Sequence, residues 1–438
     1  MKENARSMAL KVLIACRKNG AWADASLKAA LSSESLSAAD AALCSRLVYG
    51  VVQNKLLLDY YLSAFCSQKP EKLQPPLLDI LRLGAYQILF MDRIPVSAAV
   101  NESVELAKMN RRAAAAGLVN AVLRKLDRAR DELPPLPERE TERLSIQYSH
   151  PLWLVERLQS LLGGETEDLL RIHNEAVPMV VQVNPLKTTA AALKEELNAL
   201  GVSVEAHPTM PDTFYLANTG DLASLSPFGE GKFTVQDTAA SLVAHAAGFT
   251  KGARVLDVCA APGGKSFSAA FRMENSGEII ACDLHENKLK RVREGAKRLG
   301  ITNIRTETAD GRVFREAWDN AFDFVLCDVP CSGLGIIRKK PDIRYKDPAA
   351  LAELPPIQRD ILDNASRYVK PGGVLLYSTC TVLREENEEQ TDAFLTRHTD
   401  FSYEDSSLPD GRSAPYCTLW PHRDGTDGFF ICKLRKEV

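Results

Sequence analysis

Apolar residues return at helical spacing through the first third of the chain. Over residues 5–130, Ala and Leu recur every three or four positions and β-branched alternation is almost absent, which predicts an all-helical region. The spacing predicts helices over 5–18, 22–31, 37–64, 75–90, 96–108 and 113–129, with the long third stretch divisible into two. Pro75 and Pro76 suit a helix opening, because the first turn has no use for the N–H groups they lack. Pro134, Pro135 and Pro137 then make residues 131–139 a stiff linker.

After the linker the period changes. Residues 140–175 are helical again, with a run from Pro151-Leu-Trp-Leu154 that Gly163 and Gly164 break. Residues 179–183 alternate as a strand, 188–200 read as a helix, and 203–206 and 213–217 as two more short strands. The pattern is that of a small α+β unit, an incomplete ferredoxin-like or RRM-like module without the aromatic strand of an RNA-recognition sheet. From about residue 250, strands at 254–259, 278–283, 304–308, 322–328 and 373–380 alternate with helices at 264–273, 286–299 and 356–369, and 428–434 reads as a late, edge-like strand. Strands alternating with helices of this length predict a mainly parallel sheet covered on both faces. The expected fold class is multidomain. An all-α domain spans 1–130, linker helices and the small α+β domain span 131–245, and a Rossmann-like α/β domain spans 246–438.

Composition narrows the function classes. With 45% hydrophobic and 25% charged residues, a collagen-like, mucin-like or globally disordered chain is excluded. No stretch reaches 18 apolar residues and the first 15 lack a cleavable-signal layout, so a cytoplasmic protein with no membrane partner is expected. The net charge of -3 hides an asymmetry: residues 1–130 hold 19 Lys and Arg against 11 Asp and Glu, a balance of +8, which leaves -11 for the rest. A basic first domain on an acidic body suits a polyanionic partner, and equally a solvated basic surface. Arg111, Arg112, Arg124, Lys125, Arg128 and Arg130 crowd its later helices at spacings that allow a shared face, so they are the candidate phosphate contacts. The ten cysteines form no CxxC pair and are too sparse for a disulfide scaffold, which favours free thiols in a reducing compartment.

The candidate chemistry lies where strands end. Asp257-Val-Cys-Ala-Ala-Pro-Gly-Gly-Lys265 joins the first strand of the α/β region to its helix, and Gly263 and Gly264 let backbone approach a ligand at a helix N-terminus. It is neither a GxGxxG fingerprint nor a Walker A loop. Asp283 ends the second strand, where a carboxylate can accept both hydroxyls of a ribose. Asp310 follows the third, where it or its loop can hold a base, and Asp328 ends the fourth. Ordinary strand-end turns would also use such residues, but four along successive strands point to a nucleoside cofactor without a pyrophosphate, which S-adenosylmethionine fits. Cys331 and Cys380 end neighbouring strands and should face one crevice. A thiolate there can attack C6 of a cytosine and make C5 nucleophilic, after which a base must take the C5 proton. Asp328 can meet the cytosine amino edge and N3 region. Core packing or a redox role remains open for these thiols. A zinc site does not fit, since Cys327 should alternate away from Asp328 and no fourth ligand has suitable spacing.

Three motifs together carry a resemblance: Asp257 to Lys265, Asp328-Val-Pro-Cys-Ser-Gly333 and Ser378-Thr-Cys-Thr381. Residues 250–438 resemble the Nop2/Sun family of RNA cytosine-5 methyltransferases, class I S-adenosylmethionine-dependent enzymes. Ile94-Pro-Val-Ser-Ala-Ala-Val-Asn-Glu-Ser-Val-Glu-Leu-Ala-Lys108, Leu118-Val-Asn-Ala-Val-Leu-Arg124 and Gly84-Ala-Tyr-Gln-Ile-Leu89 resemble a NusB-like RNA-binding domain. Phe228-Gly-Glu-Gly and Val235-Gln-Asp237 resemble the middle region of the family's bacterial 16S rRNA branch. The resemblance implies Cys380 as nucleophile, Cys331 as the thiol that helps release product, and Asp328 as a further catalytic residue. It implies cofactor contacts from Cys259, Ala260, Ala261, Pro262, Gly263, Gly264, Lys265, Asp283, Asp310 and Asp328. It also implies 16S rRNA as partner, free or in an assembling subunit, a monomer, and nucleotide 967 in conventional bacterial numbering as target. Competing expectations are a NusB-like binding or antitermination factor and a DNA cytosine-5 methyltransferase. The latter would be expected to attack with the cysteine of the Pro–Cys motif.

Overall fold

The computed structural model describes residues 4–19, 23–33, 36–110 and 113–438. The chain forms two compact units, one of residues 1–175 with 337–346, the other of 176–336 with 347–438.

The first unit is helical. Its helices are α1 (Ala5–Asn19), α2 (Ala23–Ser33), α3 (Ala38–Gln53), α4 (Lys55–Phe65), α5 (Pro75–Phe90), α6 (Val96–Met109), α7 (Ala116–Arg128), α8 (Glu140–Gln147), α9 (Leu152–Leu162) and α10 (Thr166–Ile172). The expected 37–64 stretch is two helices, parted at Asn54. Prolines open α5. Gly163, at φ +55°, ends α9. α7 shows why these segments are amphipathic: Val119, Val122, Leu123 and Leu126 are buried and its polar positions face out. α5 lies at the centre of the unit, with almost every residue from Leu77 to Ile88 buried.

A ten-residue excursion, 337–346, belongs to this unit although its flanks belong to the other. Arg344, fully buried, donates to the carbonyl of Tyr148 at 3.0 Å and to Asn174 Oδ1 at 2.9 Å, with the carbonyls of Gln53, Ser149 and His173 at 3.4 Å. The Tyr345 hydroxyl donates to the carbonyls of Val52 and Ser149. These residues add donors to carbonyls at and just beyond the ends of α3 and α8.

The second unit holds two sheets. β1 (Met179–Val183), α11 (Ala190–Ala199), β2 (Ser203–Ala206), β3 (Thr213–Ala217), α12 (Ser226–Gly229) and β4 (Phe233–Val235) make an antiparallel sheet in the order β2-β3-β1-β4, with α11 packed on it. α13 (Thr238–Ala247) leads into the larger sheet. There β5 (Arg254–Asp257), α14 (Gly264–Arg272), β6 (Glu278–Asp283), α15 (Glu286–Leu299), β7 (Ile304–Thr308) and β8 (Phe322–Asp328) follow in turn. They are succeeded by α16 (Pro348–Leu351), α17 (Leu354–Ser366), β9 (Val369–Thr379), α18 (Glu388–Arg397), β10 (Phe401–Tyr403), β11 (Ser406–Ser407), β12 (Ser413–Ala414), β13 (Tyr416–Leu419), α19 (Pro421–Asp424) and β14 (Phe429–Lys436). The order β10-β14-β9-β8-β5-β6-β7 is parallel from β9 to β7. Alternation builds both faces: on β8, Phe324 and Leu326 join one core, while Val325 and Cys327 join the other.

The edge-like strand expected at 428–434 is a correction. β14 is internal and antiparallel, pairing β9 on one side and β10 and β13 on the other. Its run Phe429-Phe-Ile-Cys432 is buried on both faces, a property of inner strands. β10 and β13, which cover it, are too short to announce themselves by period. Sheet order runs outward in both directions from β5 and β8, so the carboxyl ends of these two strands flank the crevice where open sheets bind ligands.

Candidate active site

Parallel register brings the expected residues together. Asp328 stands opposite Ser378 across β8 and β9, so the loops that follow carry Cys331 and Cys380 from neighbouring starting points. The two sulfurs are 3.3 Å apart. The Asp328 carboxylate accepts from the Lys265 ammonium at 2.6 Å and from the Ser378 hydroxyl at 3.1 Å. The ammonium also lies 4.9 Å from the Phe429 ring centroid, which fixes it from the β14 side.

Charge is arranged unevenly around this group. Burial works against the Lys265 ammonium, but Asp328 outweighs it and holds the lysine above its ordinary range. The hydrogen bond with Cys380 pushes the Cys331 thiol well up, and burial and the nearby Glu386 and Asp328 add to this. Cys331 is thereby held as a thiol, a state suited to donating a hydrogen bond to its neighbour. Cys327 is buried on the opposite face of β8 and is pushed up by burial, as strand alternation requires.

A cavity of about 200 Å³ opens at the ends of β5 and β8, lined by Asp257, Cys259, Ala260, Ala261, Pro262, Gly264, Lys265 and Asp328, with Val235, Gln236, Asp237 and Ala240. Gly263, at φ +112°, turns the chain into α14, and a side chain there would strike the Phe267 ring. Asp283 and Asp310 end or follow neighbouring strands and are not among the residues lining the cavity. One Asp283 oxygen accepts the His285 N–H at 2.9 Å, and the other takes no hydrogen bond from the described protein. Asp310 is engaged by Arg312, whose backbone and guanidinium both donate to it and hold its carboxyl below the usual range. Ser266, Gln236 and Ser378 belong to the site although sequence reasoning assigned them no role. Ser378 lies in the motif that holds Cys380, and Gln236 lies in a motif that carries only the middle-region resemblance.

Asp257 is buried at the end of β5. The Ser266 hydroxyl donates to one oxygen at 2.7 Å while the other has no partner. Burial pushes its carboxyl from 3.8 to about 7. Between pH 4 and 7 the folded chain therefore holds a proton that the unfolded chain has lost. This stabilisation is complete below about pH 4 and disappears as pH rises through 7, at up to about 1.4 kcal/mol per pH unit. Asp257→Asn is expected to flatten that slope in urea titrations at pH 5, 6 and 7. Parallel curves for the two proteins would count against it.

Of the basic residues on the later helices, Arg124, Lys125 and Arg128 share the last turns of α7, with Lys125 and Arg128 exposed, and Arg130 follows exposed. Arg111 and Arg112 lie outside the described residues. Among the described residues, no helix is long and apolar enough to cross a membrane.

Comparison with known proteins covers the chain in three pieces. Residues 247–435 match the family described as 16S rRNA methyltransferase RsmB/F, residues 3–128 the NusB family, and residues 150–223 the RsmF/B-like methyltransferase ferredoxin-like domain. A probable ribosomal RNA small subunit methyltransferase B of Bacillus subtilis is 40% identical over 447 aligned positions, covering 100% of this chain and 99% of that protein. A protein of the same description from Synechocystis is 35% identical, covering 99% of each. The crystal structure of PH0851 superposes with a TM-score of 0.83 at 28% identity, covering 100% of both chains.

Proposed function

The chain belongs to the RsmB/F family of 16S rRNA methyltransferases, with a NusB-like helical region and an α/β methyltransferase fold, and we propose that it methylates C5 of one 16S rRNA cytosine through a covalent intermediate on Cys380. The observation that carries this reading is the pair of sulfurs 3.3 Å apart beside the Lys265–Asp328 ion pair. A metal-free redox pair or core thiols would have no need of a partly buried ion pair at their side.

The site suits S-adenosylmethionine. The 259–262 backbone lines the cavity, Asp283 offers an open carboxylate oxygen at the end of β6, and Asp257 holds an orphaned buried oxygen below the loop. When bound, the cofactor supplies an electrophilic methyl group to a carbon nucleophile. The chain must create that nucleophile. Cys380 bonds to C6 of the cytosine and shifts electron density onto C5. Asp328 accepts from the cytosine amino group, and Lys265 orients that carboxylate. Once C5 carries the methyl group, a base takes the C5 proton, the C6–S bond breaks, and its electrons return to Cys380. Cys331 faces the departing sulfur and assists this release.

Asp283→Ala is expected to lose about 1.5–3 kcal/mol of cofactor binding per charge-assisted hydrogen bond, a dissociation constant raised about tenfold or more. Calorimetry on the RNA-free protein measures this, and an unchanged constant in a folded variant would remove Asp283 from the site. We assign the region 1–130 to rRNA docking, with Lys125, Arg128 and Arg130 as exposed phosphate contacts. Bisulfite mapping of 16S rRNA from wild-type and gene-deleted cells tests the whole reading. One protected cytosine, expected at nucleotide 967, should lose protection on deletion. An unchanged protection map would reject the reading.

A further inference from the structure

Two consecutive residues, Glu386 and Asn387, straddle the two thiols. Glu386 closes a short 3-10 turn a few residues beyond Cys380 and is 1% exposed. Its Oε2 accepts the Ser332 N–H at 2.8 Å and the Gln358 Nε2 at 2.8 Å. The same Gln358 amide also donates to the Pro330 carbonyl at 3.0 Å. One carboxylate oxygen therefore holds the chain on both sides of Cys331. Asn387 does the same for Cys380: its Oδ1 accepts the Thr379 hydroxyl at 2.6 Å, and its Nδ2 donates to the Thr381 carbonyl at 3.1 Å. The two brackets are cross-tied, since the Ser332 and Thr381 hydroxyls lie 2.6 Å apart and the Gly335 N–H donates to the Cys380 carbonyl.

A buried carboxylate is a costly tie for a loop, because its desolvation must be offset by donors. Glu386 leaves Oε1 with no partner at all, and Gln358 leaves its own Oε1 likewise. A purely structural tie would be better served by apolar packing. What the side chain adds is one acceptor oxygen that holds two donors flanking Cys331, with a charge that is a lesser influence raising this thiol. Glu386 touches no reacting atom, so its action is through Cys331.

We propose that Glu386 and Asn387 are a positioning pair that fixes the two thiols against each other, Glu386 governing breakdown of the covalent intermediate by aiming Cys331 and Asn387 governing its formation by aiming Cys380. This rests on the reading above in which Cys331 acts after attack.

The test follows the covalent complex with 16S rRNA on denaturing gels in single-turnover reactions of the full chain. Glu386→Ala should slow breakdown of the adduct about twentyfold while formation changes less than about threefold, and Asn387→Ala should show the opposite split. Glu386→Gln keeps an acceptor oxygen for both N–H groups and should return breakdown to within about fivefold of wild type. Loss of both steps in equal proportion, or no rescue by Gln, would show a merely structural role and overturn the proposal. Should Glu386→Ala not fold, Gln358→Met removes the bridge from Glu386 to Pro330 while leaving the tie to Ser332, and a wild-type adduct lifetime in that variant overturns the proposal. A second readout separates this inference from the reading it rests on. In the RNA-free protein, iodoacetamide labelling of Cys331 relative to Cys380 should rise about tenfold in Glu386→Ala, because the loop loosens and the nearby charge is gone. An unchanged ratio rejects the positioning role. A raised ratio together with rapid adduct breakdown in Cys331→Ala rejects only the assigned role of Cys331.

Discussion

Cys380→Ala is expected to abolish both turnover and the covalent RNA complex, and Cys331→Ala to form a complex that persists. The two sulfurs are equally placed in distance, so geometry alone does not separate them, and the roles follow the family resemblance. Cys331 is pushed well up by its hydrogen bond to Cys380, by burial and by the carboxylates of Glu386 and Asp328, which keeps a proton on the pair. Lys265, the cation of the site, lies within electrostatic reach of both Asp328 and Cys380. Removal of a covalent nucleophile costs about 10⁴-fold or more in rate, since what remains is only binding and orientation. Removal of Cys331 leaves attack and methylation possible but takes away the group that faces the departing sulfur. Denaturing gels of each variant incubated with 16S rRNA and S-adenosylmethionine make the comparison. A trapped complex in Cys380→Ala and none in Cys331→Ala would reverse the two roles.

Asp328→Asn is expected to reduce the rate of methylation about 10²–10³-fold with cofactor affinity changed far less. Its carboxylate holds a Lys265 side chain that is only 12% exposed, and the pairing outweighs the burial that works against that charge. With the carboxylate charge gone, the mostly buried ammonium loses its charged partner, and because Asp328 is itself 30% exposed the loss is about 1.5–3 kcal/mol, the scale of one charge-assisted hydrogen bond. The lysine then gives up its proton at lower pH, because burial is no longer opposed. Activity remaining in Asp328→Asn should accordingly fall off on the alkaline side at a lower pH than in the wild type. Single-turnover methylation across pH 6–9 reads both effects. A rate within about threefold of wild type and an unshifted alkaline limb would show that Asp328 merely caps β8.

The fold was legible wherever a segment buries one regular face. α7 and α15 repeat apolar residues at helical spacing, and the inner strands β5, β6 and β8 are continuous apolar runs. Each of these signals is local: the residues that carry the period also form the element. β14 was legible as a strand but not as an internal one, because its place depends on β10 and β13, whose few residues carry no period. The candidate site was legible as a set of positions. Gly263, Asp283, Asp328 and the two cysteines are read from motifs that lie at strand ends, where chemistry in an open sheet belongs.

Sequence alone determined the helical and α/β regions and singled out the candidate loop at 257–265 and the two candidate thiols, because each rests on residues close together in the chain. Tertiary structure alone decided the rest. The 49 residues between Cys331 and Cys380 contain nothing that states a sulfur separation of 3.3 Å; the parallel register of β8 and β9 sets it. The Lys265–Asp328 pair joins loops of two strands that are neighbours only once β5 and β8 meet at the reversal of strand order. Arg344 reads as one more polar residue in a loop until 337–346 is seen inside the helical unit, where it is fully buried among carbonyls. Glu386 and Asn387 follow the same rule: a carboxylate and an amide in an acidic stretch look solvated, and only packing against Ser332, Gln358 and Thr379 buries them. Burial of a polar group depends on partners distant in sequence, and a one-dimensional pattern carries no term for them.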